Sequence, residues 1–340
     1  MTTHMLDEIR EIPEACARLL DTADAVLERT GKAIGARDPA FLITVARGSS
    51  DHAASFLKYA VELTAGIPVA SVGPSVASIY GASLRLTGSA CLVISQSGKS
   101  PDIVAMAESA KRGGALTVAL TNTARSPLAM SCDYAVDIAA GVEKSVAATK
   151  TFVNSAVAGW VLMAHATGDR ALLDAVRALP GHFRTAIGCD WMALAPALEN
   201  ARSLFILGRG PAVAIAEEAA LKFKETCGMH AEAYSAAEVM HGPLALVTPG
   251  FPVLALAARD KSEPSMAETA DQLSAKGAAI FATSDLVSAA RRLPFAATGH
   301  PLTDPLALVV SCYLFVEAFA RHRGLNPDEP RNLKKVTETR

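Results

Sequence analysis

The stretch Ala90-Cys91-Leu92-Val93-Ile94-Ser95-Gln96-Ser97-Gly98-Lys99-Ser100-Pro101-Asp102 decides how the rest of the chain is read. Five apolar residues make a short buried-strand pattern. A polar run follows, and then Pro101 and Asp102 in what reads as the first turn of a helix ending at Gly113-Gly114. A strand that enters a helix through a short loop is part of an α/β unit with a parallel sheet. At such a junction the unpaired N–H groups of the first helical turn and the helix dipole favour a negative group. The hydroxyls of Ser95, Ser97 and Ser100 and the Gln96 amide add donors suited to a tetrahedral anion, and Gly98 lets the backbone come close. Ser and Gly are also ordinary turn residues, but an unbroken polar or small run from Ser95 to Ser100 exceeds what a turn requires. The spacing is neither GxxxxGK[ST] nor GxGxxG, so ATP and NAD drop out as leading ligands.

Outward from this loop the same alternation repeats. A helix over residues 6–30, interrupted or begun at Pro13, precedes a strand over 41–46 that ends at Arg47-Gly48-Ser49-Ser50. A helix then runs to Leu63 and is stopped by Gly66; strands follow at 67–72, 90–94, 116–120 and 134–138. In the second half a strand over 204–207 ends at Gly208-Arg209-Gly210-Pro211, and a helix over 213–226 stops at Gly228. Later strands are expected at 251–258 and 278–283, and a final apolar helix at 306–321. Val45-Ala46-Arg47-Gly48 aligns with Leu207-Gly208-Arg209-Gly210, 162 positions later, and the same shift carries Gly66 onto Gly228. The expected fold class is therefore α/β in two tandem units, each a parallel sheet flanked by helices. The first domain is expected over 1–170 with the N-terminal helix. The second is expected over 171–340, with a helical linker punctuated by Pro180 and Pro196 and a C-terminal tail.

Composition narrows the function classes. The 340 residues are 51% hydrophobic and 19% charged with a net charge of −2, which suits two buried cores and carries no basic footprint for nucleic acid. The six cysteines lie far apart without a CxxC pair, which points to buried, reduced thiols in a cytoplasmic protein rather than a zinc site. No metal and no organic cofactor is implied. The apolar runs at 152–166 and 306–316 fall short of the roughly 20 residues that span a bilayer, so buried helices and no membrane partner are expected.

A second chemical cluster lies in Lys222-Phe223-Lys224-Glu225, with His241 before Gly242-Pro243. On a helix Lys222 and Glu225 share a face. Alone, the pair reads equally as a solvated salt bridge, His241 as a turn histidine, and Lys335 as part of a polar tail.

These residues sit in motifs that change that reading: ARGSS (46–50), ISQSGKSPD (94–102), GVEKSVAATKTF (141–152), EEAALKFKE (217–225), HAEAYSAAEVMHGPLALV (230–247) and PRNLKKVTET (330–339). In combination they resemble the sugar isomerase (SIS) superfamily. Within it they are most similar to the isomerase part of glucosamine-6-phosphate synthase and to isomerase-only aminosugar-phosphate deaminases. The resemblance implies that Ser50, Ser95, Gln96, Ser97 and Ser100 bind a sugar phosphate, with Ser49 lining the site and Val146 and Ala147 bordering the sugar. It implies that Glu225 moves the proton between C1 and C2 with Lys222 beside it. His241 would open the ring, reaching into the site of a neighbouring copy, so a homodimer is expected. Lys335 would approach the open-chain sugar and could form a Schiff base. Each role suits its residue: a carboxylate for proton abstraction beside a carbonyl, a histidine for ring opening, a lysine for imine chemistry.

Four departures from the synthase pattern stand out. Arg47 replaces a cysteine, Ala148 a serine and Lys99 a glutamate, and a shortened tail motif leaves Lys334 and Lys335 as competing candidates. The chain begins Met1-Thr2 and its first cysteine is Cys16, so a glutaminase domain with an N-terminal cysteine nucleophile is not expected. With only dilute ammonia, mass action then favours conversion of glucosamine 6-phosphate to fructose 6-phosphate and ammonia through an imine at C2. The alternatives are a deaminase, deglycase or isomerase on another phosphosugar such as galactosamine 6-phosphate or a fructosamine 6-phosphate, an ammonia-dependent synthase, and a non-catalytic phosphosugar sensor.

Overall fold

The computed structural model describes residues 2–335. Ten strands form two five-stranded sheets, both entirely parallel. The first contains β1 (Phe41–Val45), β2 (Val69–Ser71), β3 (Ser89–Ile94), β4 (Leu116–Thr121) and β5 (Tyr134–Asp137) in the order β2-β1-β3-β4-β5. The second contains β6 (Ser203–Gly208), β7 (His230–Ser235), β8 (Pro252–Ala255), β9 (Ala279–Ala282) and β10 (Arg291–Arg292) in the order β10-β9-β8-β6-β7. Read from the other edge the two orders are identical. The duplication expected from Arg47-Gly48 and Arg209-Gly210 therefore extends through the whole sheet. The turn glycines Gly48 and Gly210 both take left-handed backbone (φ 57° and 56°), which favours glycine over any side chain.

β3 is buried along its whole length because helices cover both faces of the sheet, which is why it reads as an unbroken apolar run. One face packs Ile43, Val45, Cys91 and Val93 against Ile103, Met106 and Ala107 of the helix Pro101–Arg112. Each of the valine, isoleucine and methionine side chains here, fully buried, contributes about 1.5–3 kcal/mol. On this sheet's other side the helix Lys150–Thr167 is buried at every position from Lys150 to Ala164. Its Gly159 sits so close to the helix Ser49–Thr64 that an added Cβ would lie 2.2 Å from Leu57 Cδ1.

The expectations and the structure differ in four places. The single N-terminal helix is three, His4–Arg10, Ile12–Thr22 and Asp24–Arg37, broken near Pro13 and again at Ala23. β7 and β10 were not expected: His230-Ala231-Glu232-Ala233 carries two exposed polar residues, and β10 is two arginines long at a sheet edge. The final helix runs Asp304–His322, long and apolar enough to cross a membrane by length and composition, and 78% of its most apolar window is buried inside the protein.

The fourth difference is the domain division. Two compact units emerge, but not by one cut at residue 170. The first unit comprises Glu14–Glu143, Lys150–Arg177, Lys334 and Lys335. The second comprises residues 2–13, Lys144–Thr149 and Ala178–Leu333. The N-terminal helix belongs to the second because the backbone N–H groups of His4 and Met5 donate to Asp328 (2.8 Å each) and the Thr3 hydroxyl to Glu317 (2.6 Å). Buried Glu8 accepts from the Lys144 and Ser145 amides and from the Ser145 hydroxyl, which brings Lys144–Thr149 into the same unit. Lys335 joins the first unit through Glu143.

Candidate functional site

In the first unit the candidate anion cradle lies at the carboxyl ends of β1 and β3, neighbours in register with Val45 opposite Val93. The strand order reverses between these two, and open α/β sheets bind ligands at that crevice. Gly48 follows β1 as the cap of the helix Ser49–Thr64, and its carbonyl accepts the Asp51 and His52 amides, opening that helix beside the crevice. The β3 loop is folded by its own groups. Ser95 Oγ accepts the Gly98 amide (3.2 Å), Ser97 Oγ accepts the Lys99 amide (3.3 Å), and the Gln96 carbonyl accepts the Asn122 amide (3.0 Å). Gly98 has φ +60° and lies so near Ser126 that a Cβ there would stand 2.2 Å from its Oγ, so no other residue fits without distortion. Ser100 occupies the cap position of the helix Pro101–Arg112, yet its hydroxyl does not cap it. Lys99 is exposed beside the loop.

Arg47, the replacement for the family's cysteine, has a definite partner. Its Nε donates to Asp102 Oδ2 (2.8 Å) and its Nη2 to the same oxygen, while Asp102 Oδ1 accepts the Ile103 amide. Asp102 is fully buried and Arg47 45% exposed, so the pair ties the end of β1 to the helix that follows the loop. It also neutralises the one carboxylate in that helix's first turn, which would otherwise oppose an anion there.

In the second unit the helix Ala212–Cys227 places Glu218, Lys222 and Glu225 on one stripe. Lys222 is fully buried; its Nζ lies 2.5 Å from Glu225 Oε2 and 3.4 Å from Glu218 Oε1. Tyr313 donates its hydroxyl to Glu218 (2.9 Å). The chain Tyr313–Glu218–Lys222–Glu225 thus runs from the interior to a carboxylate with 19% of its side chain exposed. This is not the solvated pair that spacing alone allowed. Nearby Cys227 is no competing nucleophile, because burial pushes its thiol up to about 11. His241 ends the turn Glu238–Met240 and is exposed. Ala147 is fully buried and Val146 half-buried, in a segment braced by Glu8 and by the Ser145 hydroxyl donating to the Ala147 carbonyl (3.0 Å).

The candidate residues therefore fall in two groups. Ser49, Ser50, Ser95, Gln96, Ser97, Ser100 and Lys335 belong to the first unit; Val146, Ala147, Lys222, Glu225 and His241 belong to the second. Of the two tail lysines, Lys334 is exposed and Lys335 donates to buried Glu143 (2.9 Å); the motif beyond Lys335 lies outside the described residues. Sequence reasoning passed over Glu8, Asp102, Glu143, Glu218 and Tyr313 as supporting residues. Glu218 had a signal, four residues before Lys222. Glu8 had one too, as an acid among the buried Met5 and Ile9. Tyr313 had none, since it lies far along the chain from Glu218. Among the described residues no three His, Cys, Asp or Glu side chains are grouped to hold a metal ion.

A family model described as the SIS domain matches residues 38–165 and 197–290. The chain belongs to the SIS domain family. That is the superfamily the motifs pointed to, and the matched segments contain both parallel sheets nearly in full. Among relatives, the isomerizing glutamine–fructose-6-phosphate aminotransferase of Halobacterium salinarum is 34% identical over 354 residues, covering 98% of this chain and 58% of the relative. The chain thus spans little more than half the length of such relatives. Among solved structures, a candidate phosphosugar isomerase from Silicibacter pomeroyi is 56% identical with a TM-score of 0.94, covering 96% of this chain and 100% of that one. The C-terminal domain of glucosamine-fructose-6-phosphate aminotransferase from Francisella tularensis is 25% identical with a TM-score of 0.84, covering 97% and 99%.

Proposed function

We propose that this SIS chain is an aminosugar-phosphate deaminase with aldose–ketose isomerase chemistry, converting glucosamine 6-phosphate to fructose 6-phosphate and ammonia. The observation that carries the reading is Glu225, half-buried and held at 2.5 Å by a lysine with no exposed surface. A carboxylate that shuttles a proton between adjacent carbons must stay ionised, oriented and partly screened from water. Lys222 supplies the countercharge, and Glu218 and Tyr313 fix Lys222.

In this reading the phosphate rests on Ser50, Ser95, Gln96, Ser97 and Ser100, with Ser49 at its edge and the N-terminus of the helix Pro101–Arg112 behind it. Val146 and Ala147 border the sugar. His241 exchanges a proton with the ring oxygen as the ring opens. Glu225 takes the C2 proton of the open aldose and returns it to C1, leaving an imine at C2. Water adds to that imine, and the C–N bond breaks to give the ketose and ammonia. The aminotransferases that this chain resembles are named for fructose 6-phosphate, the ketose of the same pair. Written on these residues alone, the reaction has free ammonia as its nitrogen product. His241, exposed within its own unit, acts in the site of a second copy, so the working form is a homodimer in the cytoplasm.

The test is ammonia release from glucosamine 6-phosphate by the purified chain, with galactosamine 6-phosphate and a fructosamine 6-phosphate run in parallel. Ammonia and fructose 6-phosphate appearing together support the assignment. Release from another aminosugar alone moves the substrate, and tight phosphosugar binding with no turnover of any kind points to a sensor. Loss of specific activity on dilution, together with a change from dimer to monomer by light scattering, is expected if His241 is shared.

A further inference from the structure

Glu143 is a carboxylate for which the proposed reaction has as yet no use. Its side chain has no exposed surface. Oε1 accepts the Thr151 amide (3.2 Å), and Oε2 accepts both the Thr151 hydroxyl (2.7 Å) and Lys335 Nζ (2.9 Å). Thr151 stands in the first turn of the helix Lys150–Thr167, so the carboxylate is fixed by a helix N-terminus and turns one oxygen toward the tail lysine. A buried carboxylate is costly unless paired. Lys335 keeps 24% of its side chain exposed while its amine meets Glu143. Lys334, next in the chain, is exposed and does not share this arrangement.

We propose that Glu143 is the proton acceptor that readies Lys335 for Schiff-base formation, an inference resting on the reading above that Lys335 approaches an open-chain ketose phosphate. An ammonium is not a nucleophile, and Lys335 rests beside a carboxylate as an ion pair. When the ketose arrives, Nζ gives one proton to Glu143 Oε2. The freed lone pair attacks the C2 carbonyl carbon, forming the C–N bond as the carbonyl π electrons move to oxygen. A proton passes from nitrogen to that oxygen, giving a neutral carbinolamine. Glu143 then returns its proton to the carbinolamine hydroxyl, which leaves as water, and the nitrogen lone pair closes the C=N bond. The products are an iminium on Lys335, one water and the Glu143 carboxylate, so charge and protons balance. The carboxylate that took the proton ends as counterion of the iminium. Thr151 holds it for both tasks.

The experiment is reductive trapping. The chain is incubated with fructose 6-phosphate and cyanoborohydride across a pH series, the tail peptide is weighed by mass spectrometry, and ammonia release from glucosamine 6-phosphate is measured on the same preparations. The wild type is expected to carry the sugar adduct on Lys335, and Lys335→Arg to carry none. Glu143→Gln should trap about a hundredfold less at neutral pH, the scale of a lost general base. It should recover in alkaline solution, where hydroxide removes the proton, while its affinity for fructose 6-phosphate holds. Equal trapping by wild type and Glu143→Gln at every pH overturns the inference and leaves the deaminase reading standing. Ammonia release without any wild-type adduct does the same, whereas neither ammonia nor adduct removes both. If Glu143→Gln does not fold, Glu143→Asp answers the question. A retained carboxylate keeps the pH profile of trapping near that of wild type, and an alkaline-shifted profile there overturns the assignment.

Discussion

The two sheets offer the same crevice twice, and only the first carries the run of serines and glutamine proposed to hold a phosphate. The shift of 162 that relates Gly48 to Gly210 also carries Val93 to Ala255, each facing the equivalent residue of the neighbouring strand, Val45 and Leu207. In that register Ser95, Gln96, Ser97, Gly98, Lys99 and Ser100 become Ala257, Ala258, Arg259, Asp260, Lys261 and Ser262. The framework is kept to within one residue: Thr121 bonds the Gln96 carbonyl (3.3 Å), and its counterpart Thr283 bonds the carbonyl of Ala257, the counterpart of Ser95 (3.1 Å). The chemistry is not. Gly98 with φ +60° has become Asp260, which is not among the residues with left-handed backbone. The Asp260 carboxylate accepts both the amide (2.7 Å) and the hydroxyl (2.6 Å) of Ser262, the donors an incoming phosphate would use. Arg259 lies 3.8 Å over the Phe295 ring and pairs with Asp304 (2.9 Å). A parallel sheet thus provides a place for a ligand, and a handful of loop residues decides whether it is used. In the second copy a carboxylate of the loop itself takes those donors, and the candidate carboxylate Glu225 stands on the first helix of that sheet.

Substitutions can sharpen or break this division of labour. The largest effect is expected at Glu225: Glu225→Gln should lower turnover about a thousandfold or more while leaving affinity for a phosphate-bearing ligand intact. Equal loss of both would make the residue structural. Next comes Arg47→Ala, which strands the buried Asp102 carboxylate and should cost about 3 kcal/mol in a denaturant melt. The change in the second unit, Arg209→Ala, removes only a 3.3 Å contact with Ser235 and should cost about 1 kcal/mol or less. Comparable losses would show that the two Arg-Gly turns are not differently used.

A third pair addresses the loops themselves. Ser97→Ala with Ser100→Ala should raise KM about ten- to a hundredfold with little change in kcat, as lost phosphate hydrogen bonds do. Ser262→Ala should leave KM alone, and a matching rise there would mean that the second crevice also holds substrate. The smallest effect is the acid lability that Asp271 adds to the second unit. Burial pulls the Asp271 carboxyl up, but hydrogen bonds from the Ser288 hydroxyl and the amides of Ala289, Ser288 and Ala290 outweigh it and hold it at about 2. A carboxyl depressed in the folded state stabilises above its unfolded value and loses that contribution as pH falls from about 4 toward 2. The first unit has Ser109 at the matching position. Asp271→Asn should therefore flatten the stability profile in that window, followed by melts at stepped pH.

Much of this architecture was legible in the sequence because it rests on local signals. Apolar runs bounded by glycine mark buried parallel strands, and Gly66 and Gly228 end their helices with left-handed backbone where the repeat places them. β7 escaped notice because an edge strand with exposed His230 and Glu232 lacks the apolar run of a central one. The candidate residues stand out in the sequence where they fall in a contiguous motif, as at Ser95 to Ser100 or at Lys222 and Glu225. What could not be read was support arriving from far along the chain: Tyr313 on Glu218, Glu143 on Lys335, Glu8 on Ser145. Such contacts exist only once the fold has closed, and no spacing encodes them.

The proposed reaction turns on Glu225 as the group that moves a proton at the carbon skeleton. Its most direct test is deuterium uptake at C1 of fructose 6-phosphate in D2O, followed by proton NMR with the wild-type chain and with Glu225→Gln. Steady loss of one C1 proton signal with wild type, and none with Glu225→Gln although the sugar phosphate still binds, is the predicted result. Exchange that continues unchanged in Glu225→Gln, or no exchange with the wild type while the ligand is bound, would contradict it.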